Sequence, residues 1–251
     1  MTRAVLTLWG VAPRAVPVAT LRMALDRRHL RRLPGLRFAK LLGTGDGRTF
    51  TWRDADPLHW GLLTVWDDEP ARQRFASGPT HRAWDRIARE RLDVVLRPLS
   101  SRGRWSGRAP FDDAGPAGER AVTASPGNPV TPGNAGPVAS ITRARLRLTR
   151  ARSFWQAVPP VSADLRAVPG LRLAVGIGEA PVGLQGTFSL WDDARSLREF
   201  AYQRSAHTDV VARTATEGWY AEELFARFAV EQIEGTFCGA QPLAPTLGGI
   251  A

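Results

Sequence analysis

Apolar and polar positions change period several times along this chain, and the changes come in the same order twice. Ala4 to Trp9 and Ala144 to Leu148 read as short first strands. Helical spacing follows near Val18 to Leu33 and near Ser153 to Val168, and each helical stretch stops at a Pro-Gly-Leu-Arg turn, at Pro34 to Arg37 and Pro169 to Arg172. A strand follows each turn, and a third strand leads to Trp66 in one case and Trp191 in the other. The aspartate pairs after those tryptophans, Asp67 with Asp68 and Asp192 with Asp193, predict helix starts. A carboxylate there accepts backbone N–H bonds and favours the positive helix end. Further on, Ala221, Leu224, Phe225 and Phe228 recur at i, i+3, i+4 and i+7, which predicts an apolar helical face beneath a final strand over Ala229 to Phe237.

The two passes share more than their order. Leu62-Leu-Thr-Val-Trp-Asp-Asp68 with Phe75-Ala76 matches Gly186-Thr-Phe-Ser-Leu-Trp-Asp-Asp193 with Phe200-Ala201, at equal spacing from tryptophan to phenylalanine. Arg102-Gly-Arg-Trp105 and Glu234-Gly-Thr-Phe237 close the halves. This is an internal repeat. Between Gly107 and Ser140 the periodicity disappears and Pro and Gly recur, as in the run from Ser125 to Pro137, so this stretch reads as a linker. The expected organisation is a first unit over 1–110, a Pro/Gly-rich linker over 111–139 and a second unit over 140–251. The fold class is α+β: a tandem duplication of a ferredoxin-like βαββα unit, with the two sheets joined as in dimeric α+β barrels, an analogy at the level of fold.

No run of about 20 apolar residues exists and the start lacks the features of a signal peptide, so a soluble, cytoplasmic protein is expected. The net charge of +10 comes almost wholly from arginine, Lys40 being the only lysine. Such usage reflects a GC-rich genome as readily as a binding surface. No RNA- or DNA-binding module interrupts the repeat, so no nucleic-acid partner is expected. The single cysteine, Cys238, rules out an internal disulfide and a multi-cysteine zinc or iron–sulfur site. Gly43-Thr-Gly-Asp-Gly47 is read as a turn, since no phosphate-loop signature follows it. The motifs of zinc hydrolases and of common serine hydrolases are missing.

Several blocks carry a family resemblance in combination. They include Phe38-Ala-Lys-Leu-Leu-Gly-Thr-Gly45, Leu96-Arg-Pro-Leu-Ser100, Arg102-Gly-Arg-Trp-Ser-Gly107, Phe154-Trp155 and Gly176-Ile-Gly-Glu179. Phe200-Ala-Tyr202, His207, Glu217-Gly-Trp219 and Glu222-Glu-Leu-Phe-Ala-Arg-Phe228 are the most telling. Together they resemble the spheroidene monooxygenase (carotenoid 2-oxygenase) family over nearly the whole chain except the linker. The resemblance implies an oxygenase dependent on haem, as heme b, that introduces oxygen into acyclic carotenoids. It also implies a small apolar substrate and electrons from a separate ferredoxin-type donor.

Only four histidines are present, at 29, 59, 81 and 207. If Ser205 caps a helix, His207 lies in its first turn and shares a face with Val210, Val211 and Thr214. Burial and a helix N-terminus both keep imidazole neutral, which leaves a nitrogen lone pair for iron. From the residues alone, a core histidine bonded to a backbone carbonyl accounts for the same pattern, and the resemblance favours the axial ligand. His81, its repeat counterpart displaced by one residue and lying beside Trp84 and Ala88, is second choice. His29 lies in a basic run expected to face solvent, and His59 is assigned to an extra loop of the first unit. Arg204 and Arg213 are candidates to pair with haem propionates, with surface charge as the plainer reading. Tyr202 and Trp219 are candidates to wall a cofactor pocket, with core packing as the plainer reading. Glu217, Glu222 and Glu223 are weaker acid or base candidates, and surface carboxylates on a helix by default. The remaining function classes are a haem-dependent dehydratase or lyase and a non-catalytic haem or apolar-ligand binding protein. Contact with an anionic membrane through the basic surface is a further expectation. Both a monomer and a homodimer are open, since a fused pair can already satisfy its sheet edges.

Overall fold

Strand β1 (Arg3–Val11) is buried along almost its whole length because it has apolar core on both faces. A computed structural model describes residues 2–45, 54–112, 136–147, 168–179, 184–203 and 219–243, and there the chain has an α+β fold. A 3-10 turn, Pro13–Ala15, leads from β1 into α1 (Val16–Leu30), and β2 (Leu36–Gly45) and β3 (Ala55–Trp66) follow. The short helices α2 (Glu69–Ala76) and α3 (Pro79–Asp85) precede the long β4 (Ala88–Gly103). Beyond it lie β5 (Val138–Leu146), β6 (Leu171–Gly178), β7 (Leu184–Trp191), α4 (Ala194–Gln203) and β8 (Tyr220–Gly235). The first three helices carry proline in their first turn, where its missing N–H removes no helical bond. No helix among the described residues is long and apolar enough to cross a membrane.

The strands close into a barrel in the order β1-β3-β2-β6-β7-β5-β8-β4. The order β4-β1-β3-β2 of the first half therefore recurs as β8-β5-β7-β6 in the second. A long junction, from Leu92↔Gly235 to Gly103↔Leu224, and a short one, from Gly43↔Gly178 to Gly45↔Gly176, join the halves. Leu6, Leu63, Val94, Ile141, Phe188 and Phe228 help fill the interior. Outside, Trp9, Leu62, Trp66, Phe75 and Trp84 pack beneath α1 to α3, while Val138, Val168, Trp191, Leu197 and Phe200 form a smaller cluster at α4.

Several expectations are corrected. Ala221 to Phe228 is strand, part of β8, with Leu224, Ala226 and Phe228 buried in alternation. Sheet pairing with β4 and β5 on either side overrides the helical spacing of the apolar residues. The first strand of the second half is β5, which begins at Val138 and ends before Leu148. Gly43, Thr44 and Gly45 belong to β2, held there by pairing with β3 and β6, while Asp46 and Gly47 lie outside the described residues. His59 lies on β3, opposite Gly10 of β1. The expected helix over Ser153 to Val168 lies outside the described residues except for Val168, which is buried. Most of the expected linker is likewise outside them, whereas Phe111 packs edge-on against Phe228 at 4.9 Å. The aspartate pairs behave unequally. Asp193 accepts the backbone N–H of Ser196 at 2.7 Å, while Asp68 makes no capping bond.

Candidate functional site

On the first half, the outer sheet face is filled. Trp9 stacks on Trp84 at 5.1 Å and donates from Nε1 to Asp85 at 2.9 Å. Helix α3 brings His81 onto the same face, 4% exposed, between Trp9 and Phe75 with its Nε2 3.4 Å from Thr7 Oγ1. The Thr7 hydroxyl donates to Asp93 at 2.6 Å. Its only proton is thus engaged, so Thr7 receives the Nε2–H of His81. Burial, and then the Arg91 charge, push the His81 imidazole below its usual pKa. The cavity beside it holds about 240 Å³ and is lined by Trp66, Arg72, His81, Arg91, Asp93 and Glu234 among others. It is smaller than the roughly 300–1,000 Å³ of sites for drug-sized ligands. With four charged side chains and a buried, unpartnered Trp66 Nε1, it suits water rather than a flat apolar macrocycle. His81 is thus held through Nε2 to Thr7, while its Nδ1 is buried with no hydrogen-bond partner among the described residues.

The second half repeats the pairing with smaller residues. Since Arg3 faces Trp66 and Val138 faces Trp191, the registers align β1 with β5 and β3 with β7. Val5, Thr7 and Trp9 correspond to Ser140, Thr142 and Ala144, and Leu62 and Thr64 to Thr187 and Ser189. On the next strand Leu41 corresponds to Gly176. Thr7 is 1% exposed, whereas Thr142 is exposed. The polar groups on this thinned face are partly satisfied among themselves, Ser140 Oγ lying 2.8 Å from Ser189 Oγ, which also accepts Trp191 Nε1–H at 2.9 Å. Gly, Ala, Ser and Thr thus stand on this sheet face where the first half carries leucine and tryptophan.

The cofactor candidates flank this face in the chain. Trp219 is fully buried immediately before β8, and its carbonyl accepts the Arg147 backbone N–H at 2.8 Å. Tyr202 belongs to α4, but its side chain, with Arg204, His207, Arg213 and Glu217, lies outside the described residues. Among the described residues no group of three or more His, Cys, Asp or Glu side chains is arranged to hold a metal ion.

Sequence reasoning missed two carboxylate clasps at the seams between the halves. Glu222 of β8 accepts the N–H groups of Ser106 and Gly107 at 2.9 and 2.7 Å, and Glu90 of β4 accepts those of Cys238 and Gly239, both at 2.9 Å. Gly103 and Gly235 precede the clasped turns with φ of 92° and 95°, and a Cβ there would collide with the carbonyls of Glu223 and Arg91. Behind Glu222 lies the buried Arg143, which bonds Glu222 and Glu179 and sits 5.6 Å from the Trp105 ring. Glu179 also accepts Trp105 Nε1–H at 2.5 Å and pairs with Lys40, which donates to Ser106 Oγ at 2.6 Å. A position-by-position comparison of the two closing motifs, and the singular lysine, were the available signals.

Behind Glu90 lies His59, with Nδ1 2.6 Å from Asp56 and Nε2 3.0 Å from Glu90. The Asp56 bond outweighs burial and, with Glu90, raises the imidazole pKa. A raised folded pKa gives stability that is complete below the unfolded value and is lost as pH rises through the folded one. His59→Gln is therefore expected to lower the melting temperature most at mildly acidic pH, with the gap closing as pH rises into the alkaline range. Melting curves across that range check this, and a gap independent of pH would rule out an imidazolium clasp.

No protein-family model matches the chain. Spheroidene monooxygenase of Rhodobacter capsulatus is 35% identical over 235 residues, covering 92% of this chain and 90% of that protein. Spheroidene monooxygenase of Cereibacter sphaeroides is 32% identical over 227 residues, covering 90% of this chain, which spans only 65% of that relative's length. Among solved structures, the crystal structure of an aldoxime dehydratase matches with a TM-score of 0.59 at 12% identity, over 91% of this chain and 81% of that one. That last likeness is one of fold.

Proposed function

The chain belongs to the spheroidene monooxygenase family of oxidoreductases, and on that premise we propose that it is a haem-dependent monooxygenase acting on a carotenoid or another long apolar metabolite. The observation that carries the haem is the thinned outer face of β5 to β7, where Ser140, Thr142, Ala144, Gly176 and Thr187 stand in place of Val5, Thr7, Trp9, Leu41 and Leu62. The recurring strand order supports reading the chain as a tandem duplication of a ferredoxin-like unit, with one copy keeping a packed face and the other adapted to a cofactor. In this reading the joining segment lies between Phe111, which packs on Phe228, and Val138, where β5 begins.

In this reading His207 would hold the iron through its imidazole, Arg204 and Arg213 would pair with the propionates, and Tyr202 and Trp219 would wall the pocket. Bound there, haem supplies dioxygen activation, and the chain supplies orientation and the exclusion of water. Arginine suits propionates because its planar fork donates two parallel bonds to one carboxylate. The buried indole of Trp219 contributes apolar surface. Monooxygenation consumes two electrons, and with no dinucleotide fingerprint in the sequence a ferredoxin-type donor delivers them.

The test is an absorption spectrum of protein made with ample haem precursor, in ferric, ferrous and carbon monoxide forms, followed by turnover of spheroidene with reduced ferredoxin. A Soret band and an oxygenated product are expected, and a colourless protein that refuses added haem removes the proposal. A sharper test restores the first half's bulk. Ala144→Trp is expected to weaken haem uptake by roughly tenfold or more, since overfilling a packed site costs about 1–3 kcal/mol. Haem titration with a parallel melting curve measures this, and unchanged affinity would put the haem elsewhere.

A further inference from the structure

Helix α1 turns apolar side chains towards water. Val18, Leu21 and Leu25 are 45%, 57% and 57% exposed and are the exposed large hydrophobic residues among the described ones. They fall at i, i+3 and i+7, on one line along the helix that Arg28 continues at i+10, while Arg14 and Arg32 flank the helix in the 3-10 turn before it and the turn after it. All three arginines are exposed, as are Arg27 and Arg31 beside them. The only acid between Arg14 and Arg32 is Asp26, which is buried and accepts Trp84 Nε1–H at 2.9 Å. The opposite face, with Ala19 and Leu30, packs on the first half's sheet. One face of α1 thus serves the core, while the other presents leucine and arginine with no carboxylate.

We infer that this outer face of α1 docks the protein on an anionic lipid surface. Val18, Leu21 and Leu25 enter the boundary between headgroups and acyl chains, and the arginines at both ends meet phosphates while their aliphatic stems lie along the apolar layer. Charge complementarity favours lipid over a second copy of the chain, because a twofold contact through this face would set arginines against arginines. At about 22 Å, the helix is long enough for a reversible contact and no more. Docking through α1 holds the barrel at the surface where long apolar molecules dissolve. The inference stands on the helix face alone, needs no cofactor and is tested without turnover.

The experiment is co-sedimentation of the full chain with vesicles of phosphatidylcholine, with and without phosphatidylglycerol, at low and high salt. Binding to the anionic vesicles is expected to be at least about tenfold tighter than to neutral ones and to weaken with salt. Leu21→Gln/Leu25→Gln and Arg28→Gln/Arg32→Gln are each expected to weaken it about tenfold, since each surface arginine contributes about 1 kcal/mol and each buried apolar group a similar amount. Arg74→Gln/Arg195→Gln removes equal charge elsewhere and is expected to change binding less than about threefold. Melting temperatures of the exposed-site variants should match the parent. Wild-type protein that stays in solution with anionic vesicles overturns the inference. Helix-face variants that bind like wild type, or control variants that lose as much, do so too. A dimer in sedimentation velocity that Leu21→Gln/Leu25→Gln dissociates, with vesicle binding unchanged, would assign the face to a second copy instead.

Discussion

His207→Ala is expected to lose the Soret band of the wild-type protein, or to shift it, while His81→Ala keeps it. The structure gives the other three histidines different occupations. His29 is exposed on α1. His59 has both ring nitrogens against carboxylates that favour the imidazolium, which has no lone pair for iron. His81, its pKa lowered by burial, is held through Nε2 to Thr7 beside a small cavity lined with charges, with its buried Nδ1 left without a partner among the described residues. The proposed axial bond to iron comes from His207, in the half whose outer sheet face carries the smaller residues, and the two alanine variants separate it from His81. Losing that bond should weaken haem uptake at least tenfold, equivalent to about 1.4 kcal/mol. Added imidazole should restore much of the spectrum. A His207→Ala protein with an unchanged ferric and carbon monoxide spectrum would sink the assignment, and so would a colourless His81→Ala protein that is still folded.

Parts of this arrangement were legible in the sequence, for identifiable reasons. The tryptophan–aspartate corners and Pro-Gly-Leu-Arg turns repeat as local motifs, so Trp66 and Trp191 could be placed at strand ends without any long-range knowledge. The stretch Ala221 to Phe228 was misread because the half-buried Phe225 sits among Leu224, Ala226 and Phe228, and hides a period of two behind helical spacing. The thinned face was invisible for a different reason. That Ala144 stands where Trp9 stands depends on the registers of two strand pairs, and a sequence read in order aligns the tryptophans of β3 and β7 but not the residues opposite them. Arg143 poses the same difficulty, since Glu179 and Glu222 approach it only when the barrel closes.

That closure makes Arg143→Met the substitution with the largest expected cost in stability. The Arg143 side chain is 4% exposed, and Glu179 and Glu222 beside it are 15% and 13% exposed. Removing one partner of so buried a cluster leaves charge without compensation, which costs about 3–5 kcal/mol, against about 0–1 kcal/mol for an exposed pair. The pH dependence separates these cases. Burial acts to raise the Glu222 pKa but is outweighed by the Gly107 and Ser106 N–H groups and Arg143, so the carboxyl lies below its usual value. Stability from that depression is present above the unfolded pKa and lost as pH falls through the folded one. In Arg143→Met the depression is smaller, so the gap from wild type should be widest near neutrality and narrow as pH falls through the carboxylate range. Adding Glu222→Gln should recover part of the loss, because the stranded carboxylate goes with the arginine while Glu179 keeps Lys40 as its partner. Urea unfolding of all three proteins decides the matter. A loss below about 1 kcal/mol would mean that the cluster behaves as a solvated pair. A large loss would mean that the seam between the halves depends on this cluster, whose Arg143 lies on β5 between Thr142 and Ala144 and turns the opposite way from both.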